Sequence, residues 1–515
     1  MTSPAPILRF TGHALVDVGI AGLCAFRKRS RPEDLVFEDL DAAASFMEEH
    51  YYGGALVSYL TCVFMNSSFV QRTETESTKR AFIAQYVRAH RATPHSDVAG
   101  MRCAFSGEPA TSPLVRTHLP MFSGEGVLNF RPNGEAFVPA AGAYVVALMF
   151  LPMASRRAEG RLLAVHADDP ALMLRFAKRY LDDNRRLLAL PLPTTRAPIH
   201  EGYDREQPMW DAAKKRYKFA DAKGPRSLVV HDLTAIAAEA LPSDARPRPT
   251  ALTAYLLSSS GQGPSLDVFH VPSGAVTFVV KAAGASTASA WRAVAARFQA
   301  LSEADDDGGT VSSSGKKRAG VNKAKPIAGR AGWSRNYAFE DLCGIFDAGF
   351  TDRAAAAQWL RRHLLSRIDR EGERATYGDA RARNWRLAEL FLKEVLGMNK
   401  GRIDSIRVFA DKLAGWIHAK NAKKLYNALT FQRLRDLQDA LRSAQRESAT
   451  GQLLFGLDEY RDVWLHDDGD VYLARDLICI RVVERLHELG YFAAHPEDAL
   501  TPEGDASGTE EEVRQ

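Results

Sequence analysis

Leu252-Thr253-Ala254-Tyr255-Leu256-Leu257 is followed by Ser258-Ser259-Ser260-Gly261-Gln262-Gly263-Pro264 and then by an apolar stretch from Leu266 to Val280 around Pro272. Two β-rich runs flanking a Ser/Gly/Pro connection predict a hairpin within an antiparallel sheet. Upstream, Leu162 to His166 predicts a short buried strand. Asp168 then predicts the cap of a helix with Pro170 in its first turn and Leu172, Phe176 and Leu181 along one face. Nearer the N-terminus, Glu38 to Tyr51 carries Leu40, Ala43, Ala44 and Met47 at helical spacing, and Val16 to Phe26 is apolar with glycines at 19 and 22. Helices mixed with antiparallel strands make residues 1–300 an α+β domain. That class hosts many activities, so it decides no function.

Between Ser302 and Arg335 the composition changes. Asp305-Asp306-Asp307-Gly308-Gly309 gives way to Ser312-Ser313-Ser314 and then to Lys316-Lys317-Arg318 with Lys323, Lys325 and Arg330. Low apolar content with glycine and serine predicts a flexible basic linker or loop over 301–335. Past it, nearly every segment repeats at helical spacing. Leu360, Leu364, Leu365 and Ile368 form one stripe; Trp385, Leu390, Phe391 and Val395 a second; Ile406, Phe409, Leu413, Trp416 and Ile417 a third. Leu425, Leu429, Leu434, Leu437 and Leu441 form a fourth, and Leu477 to Leu489 a fifth that ends at Gly490, a good C-cap residue. The expectation is a C-terminal α-helical bundle over 336–495. From Pro496 the chain is acidic and poor in large apolar side chains, which predicts a disordered acidic tail over 496–515.

The 515 residues amount to about three domain-sized units, or two larger ones. With 46% hydrophobic and 25% charged residues the chain can bury a sizeable core, which argues against wholesale disorder. The five cysteines, at 24, 62, 103, 343 and 479, form no CxxC pair; this fits a reducing compartment and offers no cysteine-built zinc site. Met1 to Ile7 lacks the basic-then-apolar pattern of a signal peptide. The best apolar run, Val145 to Met153, is shorter than a membrane span and contains Pro152. A cytoplasmic protein without a membrane partner is expected.

The net charge of +4, from 67 Lys and Arg against 63 Asp and Glu, is unevenly spread. Arg353 to Arg446 holds 21 basic and 10 acidic residues, a surplus of 11, which leaves −7 for the rest of the chain. Such a segment either tracks a nucleic-acid backbone or is a solvated, arginine-rich helical surface. Lys420, Lys423 and Lys424 fall at i, i+3 and i+4, one face of a continuous helix, with Arg433 and Arg435 close behind. These five are the backbone-contact candidates of the bundle.

Motifs for chemistry are absent: there is no GxxxxGK[ST] phosphate loop, no GxGxxG turn, no HExxH helix and no GxSxG. The 14 histidines have no ligand spacing, and His466-Asp467-Asp468-Gly469-Asp470 and Asp305 to Asp307 read as solvated acidic turns. No metal, cofactor or catalytic residue is expected. A different kind of site lies near the N-terminus. Phe64-Met65-Asn66-Ser67-Ser68-Phe69 sets amide and hydroxyl side chains between aromatics, Lys79, Arg80, Arg88 and Arg91 follow on a predicted helix, and Arg102, Arg116, Asn129 and Arg131 come after it. Asn and Ser hydrogen-bond to base edges while Arg and Lys hold phosphates. Asn-Ser-Ser reads equally as a turn or a helix cap.

Several of these stretches together resemble a known family. Arg9-Phe10-Thr11-Gly12-His13-Ala14-Leu15-Val16-Asp17-Val18-Gly19 resembles the opening of the large subunit of type I CRISPR effector (Cascade) complexes, in the CXXC–CXXC branch of type I-A and I-B systems. Phe64 to Phe69 resembles its Asn-Ser segment, and Cys103, Ser106 and Gly107 stand where its first CxxC-Gly would be. Ala254-Tyr255-Leu256-Leu257, Gly261-Gln262-Gly263-Pro264 and Phe269 to Phe278 around Pro272 resemble its tyrosine, Gly-Gln and proline stretches. The chain departs from the pattern where Ser106 replaces the second cysteine and where no second pair appears around Ser123 to Gly126. The family's zinc knuckle is therefore expected to be lost, with turn hydrogen bonds and packing holding the loop.

The resemblance implies a non-catalytic subunit of an RNA-guided complex, beside the backbone subunits and those holding the CRISPR RNA handle. Such a subunit reads a protospacer-adjacent motif in duplex DNA and aids R-loop formation, its basic bundle lying along the displaced single strand. It recruits a helicase-nuclease or transposition proteins. Sequence specificity is then delegated to RNA pairing. On this reading Asn66, Ser67 and Asn129 lie near the motif duplex with Lys79, Arg80, Arg102 and Arg131 on phosphates, and Lys420, Lys423, Lys424, Arg433 and Arg435 serve the displaced strand. Two other classes stay open: a nucleic-acid-processing hydrolase using a carboxylate such as Asp17, and a scaffold binding protein partners through exposed aromatics.

Overall fold

The computed structural model describes residues 6–51, 56–64, 67–71, 73–115, 117–118, 137–189, 209–211, 216–218, 224–240, 250–260, 263–284, 286–295, 298–299, 335–360, 363, 384–430, 434–448, 453–464 and 471–499. The fold is α+β. The chain divides into two compact units, Met1–Val280 with Ala295–Gly349, and Lys281–Val294 with Phe350–Gln515. No helix among the described residues is long and apolar enough to cross a membrane.

The first unit opens with α1 (Ala14–Arg27), buried from Val16 to Cys24. Its two glycines explain how so apolar a segment lies against α5 (Gly142–Phe150) and the turn Leu151–Ala154. A Cβ on Gly19 would stand 2.0 Å from the Ala147 carbonyl oxygen, and one on Gly22 would stand 2.6 Å from the Ala154 Cβ. Around this crossing lie α2 (Phe37–His50), α3 (Val57–Phe64), α4 (Glu76–Val87), α6 (Pro170–Ala189) and α7 (Pro225–Ala240). As predicted, α2 buries Leu40, Ala43, Ala44 and Met47. Three short antiparallel pairs among the described residues, β1 (Ser112–Leu114) with β2 (Val138–Ala140), β5 (Met209–Asp211) with β6 (Arg216–Lys218), and Phe298–Gln299 with Arg335–Asn336, accompany the main sheet.

That sheet is antiparallel throughout, in the order β3 (Arg156–Ala158), β4 (Arg161–Ala167), β7 (Leu252–Ser260), β8 (Gly263–Val271). The expected hairpin is β7–β8, in register from Leu252 opposite Val271 to Ser260 opposite Gly263. Gly261 and Gln262, which join them, lie outside the described residues. The second run does not stay extended to Val280. Pro272 has no N–H to give to a ladder, and α8 (Ser273–Ala282) starts behind it, with Ala275, Val276, Phe278, Val279 and Ala282 buried at helical spacing. The α6 cap also differs by one residue: Asp169 accepts the Ala171 N–H (3.0 Å), while Asp168 accepts the Ala251 N–H (3.3 Å) and so ties the helix start to β7.

One buried carboxylate binds three elements. Asp232 on α7 is fully buried and receives Arg156 of β3 (3.1 Å) and Arg179 of α6 (3.0 Å). Burial pushes its carboxyl up, but the arginines and His231 outweigh this and hold it well below the usual range.

The second unit takes in most of α9 (Ala288–Ala295), whereas α10 (Tyr337–Gly344) belongs to the first. The boundary expected near residue 336 is therefore displaced. The cause is local: Asn336 caps α10 while accepting into its backbone carbonyl the Ser227 hydroxyl of α7, and Ser227 also donates to Glu340. Residues 301–334, nearly all of the expected linker, lie outside the described residues.

The bundle comprises α11 (Arg353–Leu360), α12 (Asn384–Glu394), α13 (Lys400–Lys420), α14 (Lys423–Thr430), α15 (Leu434–Ser448), α16 (Leu457–Trp464), α17 (Val471–Glu488) and α18 (Tyr491–Ala494). Helix α17 is its axis, packed against α11, α12, α13, α14 and α16 and buried on nearly every side. Arg481 pins it to α13 through Asp411 (2.7 Å) and to its own Glu484 (2.5 Å). The fourth predicted stripe is two helices, α14 and α15. The expected tail is ordered at its start, because Pro496–Ala499 form a 3-10 turn with Asp498 held against the bundle; residues 500–515 lie outside the described residues.

Candidate nucleic-acid interface

In the first unit, the Phe64–Phe69 segment is placed by rings. Phe64 and Phe69 lie 5.6 Å apart, Phe69 and Phe82 5.8 Å, Phe82 and Tyr86 4.8 Å, and Tyr86 meets His118 at 3.9 Å. Ser67 is not presented to solvent: it is fully buried, and its hydroxyl donates to the Thr117 carbonyl. The expectation that Ser67 contacts a base edge is thereby corrected, since a hydroxyl closing a buried turn has no free face. It immediately precedes the 3-10 turn Ser68–Val70, so the turn alternative describes it. Asn66, Asn129 and Arg131 lie outside the described residues. His118 accepts the Val115 N–H at Nδ1 (3.1 Å), and its Nε2 is 2.9 Å from the Thr117 hydroxyl. Burial lowers its pKa to about 4, so the ring is neutral.

On α4, capped by Thr75, Lys79 is half-buried and has no acidic partner among the described residues. Arg80 is exposed and pairs with Glu76 one turn back (2.8 Å). The arginines that follow are drawn away from solvent anions. Arg88 grips Glu48 of α2 with two nitrogens (2.7 and 2.6 Å), and Arg91 pairs with Asp41 of α2 (2.8 Å) while covering the Phe37 ring (4.9 Å). Arg91 and His90 together bring the Asp41 carboxyl down to about 2.

The segment at Cys103 is a closed turn. The Gly107 N–H donates to Cys103 O (2.9 Å), the Cys103 N–H donates to Glu108 O (2.6 Å), and Gly107 takes a left-handed conformation (φ 74°). Arg102 is exposed and donates to the Gly107 carbonyl (2.8 Å). Arg9 donates to the Ser106 carbonyl (3.0 Å), and His13 stands edge-on to Phe105 (5.2 Å). Among the described residues no group of three or more His, Cys, Asp or Glu is placed to hold a metal ion.

Asp17 has a structural task. It accepts the Thr11 N–H (2.7 Å), the Thr11 hydroxyl (2.8 Å) and the Gly12 N–H (2.8 Å), and His166 of β4 stands 3.6 Å away. Burial raises its carboxyl, but His166 and these donors prevail and the net shift is downward. Both oxygens are engaged in folding the approach to α1 back on itself.

In the second unit the three lysines do not share one helix face. Helix α13 ends at Lys420 because Asn421 turns left-handed (φ 48°), and Lys423 opens α14. Asn tolerates that conformation, which the lysine spacing alone did not disclose. The three residues instead form a corner. Lys420 is exposed with its Nζ 5.7 Å from the Trp416 ring centroid, and Lys424 is exposed; neither has a carboxylate partner among the described residues. Lys423 faces Asp498 (3.6 Å). Arg435 is exposed on α15, and Arg433 lies outside the described residues. Asp498 is the residue that sequence reasoning missed, assigned to a tail rather than to the corner. Its signal was its place just after Tyr491-Phe492, two rings that the bundle needs.

Comparison with protein families, curated proteins and solved structures finds no match.

Proposed function

We propose that the chain is the non-catalytic, DNA-recognising large subunit of a CRISPR RNA-guided surveillance complex. It would read an adjacent motif in duplex DNA, aid R-loop formation and recruit a helicase-nuclease or transposition proteins. What supports this reading is that segments carrying the resemblance, far apart in sequence, meet in the first unit. Arg9 bonds the turn at Ser106, His13 packs on Phe105, and Asp17 stands by His166, whose strand neighbour Thr253 belongs to the hairpin of Tyr255 and Phe269. Lys79, Arg80 and Arg102 are the described cations assigned to duplex phosphates. Lys420, Lys424 and Arg435 are those assigned to the displaced strand.

Affinity purification of the chain from its native cells tests the proposal. Co-purification of a small RNA of uniform length with several partner proteins is the expected result, and a chain recovered without RNA overturns it. Within such a complex, Asn66→Ala is expected to weaken motif-dependent duplex binding.

A further inference from the structure

Of the five tryptophans whose side chains are described, four are buried: Trp291, Trp359, Trp385 and Trp464. The fifth, Trp416 on α13, is only half-buried, and it stands at the basic corner of the second unit. Its Nε1 is buried and has no hydrogen-bond partner among the described residues, so its donor is not what meets solvent. The neighbour of its ring is Lys420, one turn on, with Nζ 5.7 Å from the ring centroid. The rest of the α13 surface around the indole is low. Position 415 is a glycine with open space where a Cβ would stand, Ala419 is small and exposed, and Lys412, one turn back, is drawn off to Glu459. On α13, Lys420 is thus the long side chain left to lie across the ring. Leaving so large an apolar ring partly in water forfeits burial that the other four indoles secure.

We infer that the Trp416 indole is a stacking platform for a base of single-stranded nucleic acid, with Lys420 as its displaceable cover. The base takes the place of the ammonium on the ring, and the ammonium reaches a neighbouring phosphate. Magnitudes favour this exchange. An exposed cation–π contact is worth a factor of about 2 to 5 in an equilibrium constant, whereas a base stacked on an aromatic side chain is worth about 5 to 150. Lys420 keeps a partner in either state, and Lys424, exposed across the Asn421 turn, adds a second cation without a carboxylate among the described residues. The inference rests on the nucleic-acid reading above and deepens it, adding contact with a base where that reading has only phosphates. Stacking tolerates every base, which suits a displaced strand whose sequence is dictated by a guide.

Two probes of equal charge test it on the full chain: an oligothymidylate of about 20 nucleotides, and an abasic oligomer of the same length whose sugars carry no base. The wild type is expected to prefer the thymidylate, and Trp416→Phe to keep most of that preference. Trp416→Leu is expected to reduce it by about five-fold or more while the salt dependence of binding, which reports phosphate contacts, stays the same. Equal preferences in the wild type and Trp416→Leu overturn the inference and leave the nucleic-acid reading standing. Failure of the wild type to bind either probe defeats that reading, and the inference with it. A second readout needs no variant, so it holds even where Trp416→Leu does not fold. The thymidylate is made with 5-iodouracil bases, irradiated in complex with the wild type at long ultraviolet wavelength, and the adduct located by mass spectrometry. Crosslinking to Trp416 is the expected result; a bound oligomer with no adduct at Trp416 overturns the inference.

Discussion

His118 shows what a single buried ring contributes. Its folded value, near 4, lies below the 6.5 of an ordinary histidine, so between those values the unfolded chain takes up a proton that the folded chain refuses. Its contribution to stability is complete above about pH 6.5 and is lost as pH falls towards 4, by an amount of order 3 kcal/mol. Urea unfolding of the wild type and His118→Gln across pH 7.5 to 4.5 should show the gap between them narrowing as pH falls; a constant gap would place the ring outside this linkage. Gly19 carries a second residue-level expectation. An added Cβ meets a backbone oxygen rather than a flexible side chain, so α1 must move as a whole. Gly19→Ala is expected to cost about 2–3 kcal/mol by denaturant unfolding, despite the better helix propensity of alanine. The five cysteines are all buried, and burial raises the Cys24 and Cys343 thiols to about 12. Native protein should resist iodoacetamide at both, and rapid alkylation of either would contradict the packing described.

At the scale of elements, much of the architecture was legible because it depends on period. The hairpin of Leu252 onward, the strand at Leu162 to His166 and the apolar faces of α2 and α6 follow from alternation and helical spacing alone. Breaks within apolar runs were less legible. Asn421 ends α13 between two lysines at helical spacing, and Pro272 converts a β-rich run into a helix; in both places a single residue's backbone preference outweighs the pattern around it. The candidate site was legible only in its residue types. Arg88 and Arg91 read as phosphate contacts until α2 sets Glu48 and Asp41 against them, and Ser67 read as a polar tip until Thr117 closes over it. The α2–α4 contact yields its own prediction. Glu48→Gln removes the charge from a half-buried bidentate pair and should lower stability by about 1 kcal/mol in chemical denaturation.

For the whole molecule, a net charge of +4 is less informative than where unopposed charge lies. In the bundle, Arg407, Lys412, Arg442 and Arg481 hold carboxylates of their own unit, while Lys420 and Lys424 hold none among the described residues. These two, rather than Lys423 with its structural tie to Asp498, are the positions at which charge removal separates binding from folding. Lys420→Ala with Lys424→Ala should flatten the log–log salt dependence of single-stranded DNA binding by about 0.7 per lysine while leaving the thermal midpoint unchanged. An unchanged slope would remove the corner from the interface.

The crossing of α1 over α5 has an evolutionary corollary. Contact of backbone with backbone at Gly19, and of Gly22 with Ala154, leaves no volume for a side chain at either position. A divergent homologue that keeps this crossing is obliged to keep both glycines three residues apart, however far its charges and surface loops have drifted. The pair is thus a hallmark by which distant kin of this chain can be recognised when overall identity has faded.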